Sequence, residues 1–401
     1  MQTGKTEIVP LLMPAISLII GIITAPMMPN VGGLVTALAV CVLLAWGLRR
    51  WGHLQSIGIL LCFFWMGMLV GQRVERTSKG YRRIEIRGGC DEKQSKMERV
   101  KSRFLDYRNE LLNRYKTQSV DDEQYAVLVA MTLGDKSALT KELRETYSVT
   151  GASHILALSG LHLGIIYLLL FRLTLGRRRS WLSQVVIILS IWAFAFLTGL
   201  STSVVRSATM ISIYALFSVA GRHRSPVNIL CFTAIVMLLV NPASLFDIGF
   251  QLSFSAVLAI LLLMPLFESF FPEHYFAGRP LQRYIYNMVG LSVAAQIGVA
   301  PLIAYYFGRF STYFLLTNFI VIPAATIILY GALLVVLVPS LAPVLLGFVG
   351  ILNKALGWIS QMPCASIDGL HPSVLQICLL YVVFACIYFS LRTLQRVPPI
   401  T

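Results

Sequence analysis

The chain has 401 residues, of which 57% are hydrophobic and 13% charged, against roughly 45 to 50% apolar and about 25% charged in ordinary soluble domains. Two or three soluble domains, the expectation for this length at roughly 150 residues each, are excluded, and a polytopic membrane protein takes their place. The formal charge of +15 invites a nucleic-acid reading. Residues 72–150, however, hold 17 of the 33 Lys and Arg and 13 of the 18 Asp and Glu. The net charge comes from the 16 basic and 5 acidic residues elsewhere, which are read first as an orientation signal, because cytoplasmic loops collect Lys and Arg, and second as a footprint for an anion.

A transmembrane helix needs about 20 apolar residues. Such stretches occur at 8–28, 31–48, 54–71, 154–171, 181–200, 201–220, 226–241, 249–271, 284–307, 313–338, 342–361 and 373–391. The expected fold class is all-α, a polytopic inner-membrane helical bundle of eleven or twelve transmembrane helices with a short external helical loop. The first stretch lacks the basic lead and small-residue cleavage site of a secretory signal and reads as a span. With a cytoplasmic N-terminus, alternation places inside Lys5, Arg49/Arg50, Arg172/Arg177/Arg178/Arg179, Arg222/Arg224, Arg279/Arg283 and Arg392/Arg396, which is 13 of the 16 basic residues outside the long loop. Arg206, Arg309 and Lys354 stand apart. Both termini are then cytoplasmic and residues 72–150 lie outside, their charge notwithstanding, because long loops translocate largely regardless of charge. The division read from this pattern is a three-span segment over 1–71, an external charged loop over 72–150 and the main membrane domain over 151–401.

Within the loop, Met97, Val100, Phe104, Tyr107, Leu111 and Tyr115 recur at three- and four-residue intervals, the stripe of an amphipathic helix. It would pack on the other loop helices or lie on the bilayer surface. Asp121 and Asp122 open a second helix to Leu133, with Gly134 as its stop, and a third is expected from Thr140 to Tyr147. Farther along, Ser159-Gly160, Pro301, Pro323 and Asn318 place helix-breaking or polar groups at membrane depth, where freed backbone must find protein or water partners.

Seven cysteines, at 41, 62, 90, 231, 364, 378 and 386, include no C-x-x-C pair, and neither a metal site nor a disulfide framework is inferred. His154 and His162 are eight positions apart, about 80° of rotation on an unbroken helix. A metal would need further ligands, and the adjacent acids Asp135, Glu142 and Glu145 lie in the loop. Hydrogen-bonded imidazoles at a helix break are therefore expected, and no cofactor. Ser159 with His162 three residues on also suggests an intramembrane serine hydrolase, but no third orienting group is evident; the chain is not expected to be an enzyme. Arg206 sits well inside a span. An ionisable group there marks a pathway or a structural pair: with the hydroxyls of Ser201, Thr202 and Ser203 it suits an oxyanion such as phosphate, and with Asp247 or Glu268 it would form a fixed ion pair. Lys354 can snorkel on its long stem.

Four runs then carry a resemblance: Thr150 to Gly164 (TGASHILALSGLHLG), Thr198 to Ser207 (TGLSTSVVRS), Asn241 to Phe254 (NPASLFDIGFQLSF) and Ala295 to Gly308 (AQIGVAPLIAYYFG), the last followed by Asn318 and Pro323. In this order and at these separations, over about 121–340, the sequence resembles the competence-protein channels of the ComEC/Rec2 type. The resemblance implies translocation of single-stranded DNA across the bacterial cytoplasmic membrane, alongside an outer-membrane or pilus uptake system and a cytoplasmic motor. Larger members resemble an OB-fold insertion after the third span and carry a metallo-β-lactamase-like nuclease domain after the last. Here about 50 residues between Gln72 and Asp121 leave no room for an OB barrel, and no H-x-H-x-D-H run occurs. The expectation is a membrane core without a nuclease, with second-strand degradation left to another protein. A translocated strand must also be released, which favours a sparse lining over the dense basic and aromatic groove of a storage protein. His154, Ser159, His162, Ser201, Ser203, Arg206, Gln251, Gln296 and Asn318 are the candidate pathway residues. A homo-oligomer would suit a channel, and a transporter of another anionic or lipid-linked substrate on the same scaffold is the alternative.

Overall fold

The computed structural model describes residues 10–27, 31–47, 52–85, 96–115, 122–174, 180–219, 225–271, 273–276 and 278–394. Within them the chain is helical almost throughout: α1 (Leu12–Thr24), α2 (Val31–Gly47), α3 (Gly52–Glu85), α4 (Lys96–Tyr115), α5 (Asp122–Leu133), α6 (Lys141–Val149), α7 (Ser153–Leu156), α8 (Gly160–Leu173), α9 (Trp181–Leu197), α10 (Thr202–Val219), α11 (Pro226–Val240), α12 (Ile248–Phe270), α13 (Pro280–Phe307), α14 (Phe314–Leu337), α15 (Ala342–Ser360) and α16 (Val374–Leu394). One antiparallel ladder, β1 (Arg309–Ser311) with β2 (Ser366–Asp368), pairs Phe310 with Ile367. Among the described residues seven helices are long and apolar enough to cross a membrane, and five shorter apolar helices accompany them. Each of the twelve apolar stretches contains one of these helices among its described residues.

The chain divides into two compact units, Met1–Ser95 with Thr209–Gln251, and Lys96–Ala208 with Leu252–Thr401. In the first, α1 and α3 approach through small residues. A side chain on Gly71 would start 2.6 Å from the Ala25 Cβ, and one on Gly67 would start 3.1 Å from the Gly21 Cα. Such stripes let helix backbones meet where lipid supplies no hydrophobic drive for association. Ser17 donates to the Leu60 carbonyl at 2.6 Å, and the Leu11 N–H donates to Asn228 Oδ1 at 3.3 Å, tying α1 to α11.

The second unit is built around α5. Ala126 through Met131 are all at most 3% exposed, and all of them but Val129 share one apolar core with residues of α6, α7, α14 and α15. The segment read from sequence as one external loop thus supplies a central helix. Its apolar run is too short to span, and a run of 10 to 14 residues is characteristic of a buried core helix. The three helices of that segment form where the periodicity places them. Gly134 stops α5 at φ +74°, and Thr140 caps α6 by accepting the Leu143 N–H at 3.2 Å. The α4 stripe divides: Phe104 stacks on Phe196 of α9 and Leu111 reaches the core, while Val100 and Tyr107 face outward. Protein, rather than the bilayer surface, receives the inner half.

Pro301 and Pro323 do not break their helices, as the sequence suggests; α13 and α14 run through them, and α12 runs through Pro265. Proline removes one backbone bond and crowds the preceding turn. Near Pro301 the Tyr381 hydroxyl of α16 donates to the Gly298 carbonyl at 2.8 Å, the kind of outside partner that lets proline persist in a membrane helix.

Candidate functional site

The clearest break in an apolar helix is where the sequence places it. After α7 the chain becomes extended at Ala157 (φ −96°, ψ 128°) and Ser159 (φ −126°, ψ 175°), and α8 begins at Gly160. The rotation reckoned for an unbroken helix between His154 and His162 therefore does not apply. His154, on α7, is exposed by area and holds its Nδ1 at 2.9 Å from the Gly151 carbonyl. His162 is fully buried. Its Nδ1 accepts the Ser159 N–H at 3.2 Å and lies 3.1 Å from Ser159 Oγ, which leaves the ring proton on Nε2. That nitrogen is buried without a partner among the described residues. A serine nucleophile needs a base oriented through its other ring nitrogen; here the ring satisfies the start of α8 instead, in the reciprocal manner of a capping box.

The second run makes the α9–α10 turn. Gly199 and Leu200 both have positive φ, 76° and 59°, and the Leu200 N–H donates back to the Ala195 carbonyl at 2.8 Å. Ser201 is exposed, and its carbonyl accepts the Val205 N–H in the first turn of α10. The Ser203 carbonyl accepts the Ser207 hydroxyl at 3.1 Å. Arg206 is 4% exposed, and its guanidinium donates to Ser253 Oγ of α12 at 3.3 Å. Ser253 was not singled out from sequence, where only its place within the third run marks it. Glu268, a sequence candidate for a fixed partner, lies fifteen residues past Ser253 on α12, about 22 Å along the axis, out of reach. The other candidate, Asp247, accepts the Gly249 N–H at 2.9 Å.

Contacts between runs follow a chain through the second unit. A side chain on Gly160 would start 3.1 Å from Ser207 Oγ, so the start of α8 lies against α10; one on Gly298 would start 2.6 Å from both the Ala259 Cβ and the Ser255 carbonyl, pressing α13 onto α12. One on Gly151 would start 3.0 Å from the Ser311 Cβ. The structure thus brings Ser159 and His162 to the helix of Ser203 and Arg206. Gln251 belongs to the other unit and ties the start of α12 to its preceding turn, its Nε2 donating to the Leu245 carbonyl at 3.0 Å. Gln296 and Asn318 are half-buried on α13 and α14.

Arg309, apart from the cytoplasmic clusters in sequence, closes a clasp at the end of the fourth run. It pairs with Glu145 at 2.7 Å and Asp368 at 2.5 Å and donates to Ser148 Oγ at 3.1 Å. The Leu370 N–H donates to the Gly308 carbonyl at 2.9 Å beside the ladder. Lys354 of α15 is exposed.

Twelve apolar helices among the described residues, with a buried guanidinium that donates to a hydroxyl, define a multi-pass membrane protein with polar groups in its helical interior. The chain belongs to the competence-protein family, whose model, described as "Competence protein", matches residues 131–394. It is 28% identical to ComE operon protein 3 of Bacillus subtilis over 253 residues, 62% of this chain and 31% of that protein. Recombination protein 2 of Haemophilus influenzae is 25% identical over 244 residues, 58% of this chain and 30% of that one. An uncharacterized protein of Aquifex aeolicus is 30% identical over 198 residues, 49% and 44% of the respective chains. These matches span less than half the length of each relative. No solved structure matches the chain.

Proposed function

We propose that this chain is the membrane core of a DNA-uptake system and passes single-stranded DNA across the cytoplasmic membrane. Family membership supports it, and the observation that carries it is the meeting of the resemblance-bearing runs around Arg206: α8 against α10 at Gly160 and Ser207, and α10 bonded to α12 through Arg206 and Ser253. Charge buried in a membrane helix is retained where it serves a pathway, and a guanidinium presents a planar fork matched to phosphate oxygens. With few cations and several hydroxyls nearby, each phosphate is held weakly and passed on. Ser159 and His162 act as a cap, and the chain performs no catalysis. In this reading both termini are cytoplasmic, the strand is received from an uptake apparatus outside and drawn by a cytoplasmic motor, and copies of the chain assemble around the passage.

The test is deletion of the gene in a transformable host supplied with end-labelled DNA. Label should remain bound at the surface and fail to enter the cytoplasm, and the gene supplied in trans should restore entry. Unchanged entry with normal surface binding would overturn the channel reading.

A further inference from the structure

The helix α4 precedes the stretch that the family model matches, yet its inner face is built onto the turn that starts α10. Phe104 stacks on Phe196 near the end of α9, with centroids 5.5 Å apart and planes at 28°. Leu105 Cδ2 lies 3.8 Å from where a side chain on Gly199 would begin. One turn later Arg108 pairs with Asp135 at 2.6 Å, the two side chains 18% and 24% exposed. Arg108 Nε is buried without an acceptor among the described residues, so the guanidinium is held through its terminal nitrogen on this carboxylate. Asp135 also accepts the Ser137 N–H at 3.0 Å. A side chain on neighbouring Gly134 would start 2.8 Å from Leu158 and 4.0 Å from Thr198, between the α7–α8 break and the α9–α10 turn. Positions 104, 105, 108 and 111 form one helical stripe; every member faces the fold.

The turn held in this way is unusual. Leu200 has φ +59°, a region that side chains other than Asn, Asp and His seldom enter and that persists only where the surroundings over-determine it. Leu200 is six residues before Arg206, so its conformation sets where α10 begins and which way Arg206 leaves it.

We infer that α4 is a positioning element for the passage, with Arg108 and Leu105 as its positioning residues: it clamps the Gly199–Leu200 turn and thereby fixes the start of α10 and the aim of Arg206. The transport consequence rests on the channel reading above; the clamp itself does not.

Hydrogen exchange on the purified, detergent-solubilised chain tests the clamp without DNA. Arg108→Glu should raise exchange over 196–208 and 130–137 by about tenfold, the scale of a local opening, and a charge-swapped pair, Arg108→Asp with Asp135→Arg, should restore it. Unchanged exchange over 196–208 while α4 itself loosens would overturn the inference. Should Arg108→Glu fail to accumulate, Leu105→Ala leaves the ion pair intact and must still raise exchange at 199–203; no change there overturns the inference equally. In cells the same order should appear in DNA entry, lowered by Arg108→Glu and recovered by the swapped pair. If exchange responds as expected while deletion of the whole gene leaves entry unchanged, the clamp stands and the channel reading falls.

Discussion

The Arg206 guanidinium is 4% exposed and donates to the Ser253 hydroxyl of α12, and the two readings of this buried charge differ in what its removal does. In the pathway reading the guanidinium meets a passing phosphate, so Arg206→Gln should accumulate nearly normally in the membrane while DNA entry falls. Arg206→Lys should recover it in part, since an ammonium lacks the planar fork. In the structural reading a fixed carboxylate, Asp247, is left uncompensated at a cost of roughly 3 to 5 kcal/mol; protein levels then fall, and adding Asp247→Asn restores them. Immunoblots of membranes beside uptake of labelled DNA separate the two, and normal levels with normal entry remove Arg206 from the pathway. Ser159 gives a second test at this scale. As a cap its loss in Ser159→Ala should cost about 1 kcal/mol, read as a modest drop in thermal midpoint with transport retained; abolished function at normal protein levels would revive the hydrolase. Arg206 and His162 were legible in the sequence because a charge or an imidazole in an apolar run stands out. Ser253 and Ser207 were not, because serine in a membrane helix reads equally as small-residue packing and nothing local tells where its hydroxyl points.

At the scale of elements, apolar length and periodicity located the twelve apolar helices and the three helices of the charged segment. They could not place α5. A twelve-residue helix flanked by charge reads as part of its loop, and only the packing of α6, α7, α14 and α15 around it shows that it is core. The prolines misled for a related reason: a helix breaker in isolation is tolerated where neighbours satisfy the freed backbone. The junction between α4 and the α5–α6 loop carries a prediction of its own. Partial burial works against the Asp135 carboxylate, but the Ser137 hydrogen bonds and the Arg108 guanidinium outweigh it and hold its pKa below the usual carboxylate value. A carboxyl whose folded pKa is depressed stabilises the fold fully above the unfolded value, about 3.9, and loses that contribution as pH falls through the lowered folded value. The thermal midpoint of the wild-type chain should therefore exceed that of Asp135→Asn by a constant margin from about pH 5 to 7, and the margin should close on acidification below about pH 4. A margin that widens on acidification would show that the Arg108 pair is not the source of the shift.

At the scale of the whole chain, sidedness rests on the distribution of Lys and Arg, and much of it falls outside the described residues, as do Arg49, Arg177 to Arg179, Arg222 and Cys90. The second unit supplies an independent geometric argument. Alternation puts the end of the charged segment, the connection after α13 and the connection after α15 on one face of the membrane, and these three segments meet there: Glu145 and Ser148 with Arg309, Arg309 with Asp368, and the Tyr313 hydroxyl with the Pro363 carbonyl at 3.1 Å. A single miscounted span between them would have set them on opposite faces. Arg309, which stands apart from the other basic clusters, is balanced there by two acids, Glu145 and Asp368. Labelling reports which face this is, and Cys364, exposed in the connection before α16, is placed for it. A variant with the other six cysteines changed to serine should react with a membrane-impermeant maleimide in intact spheroplasts, as expected of an external connection, and reaction after lysis alone would invert the topology. Arg392→Cys in the same background, with Cys364 also changed to serine, should show the opposite pattern. If both positions label in intact spheroplasts, the number of spans between them is even, and the alternation that places the last helix is wrong.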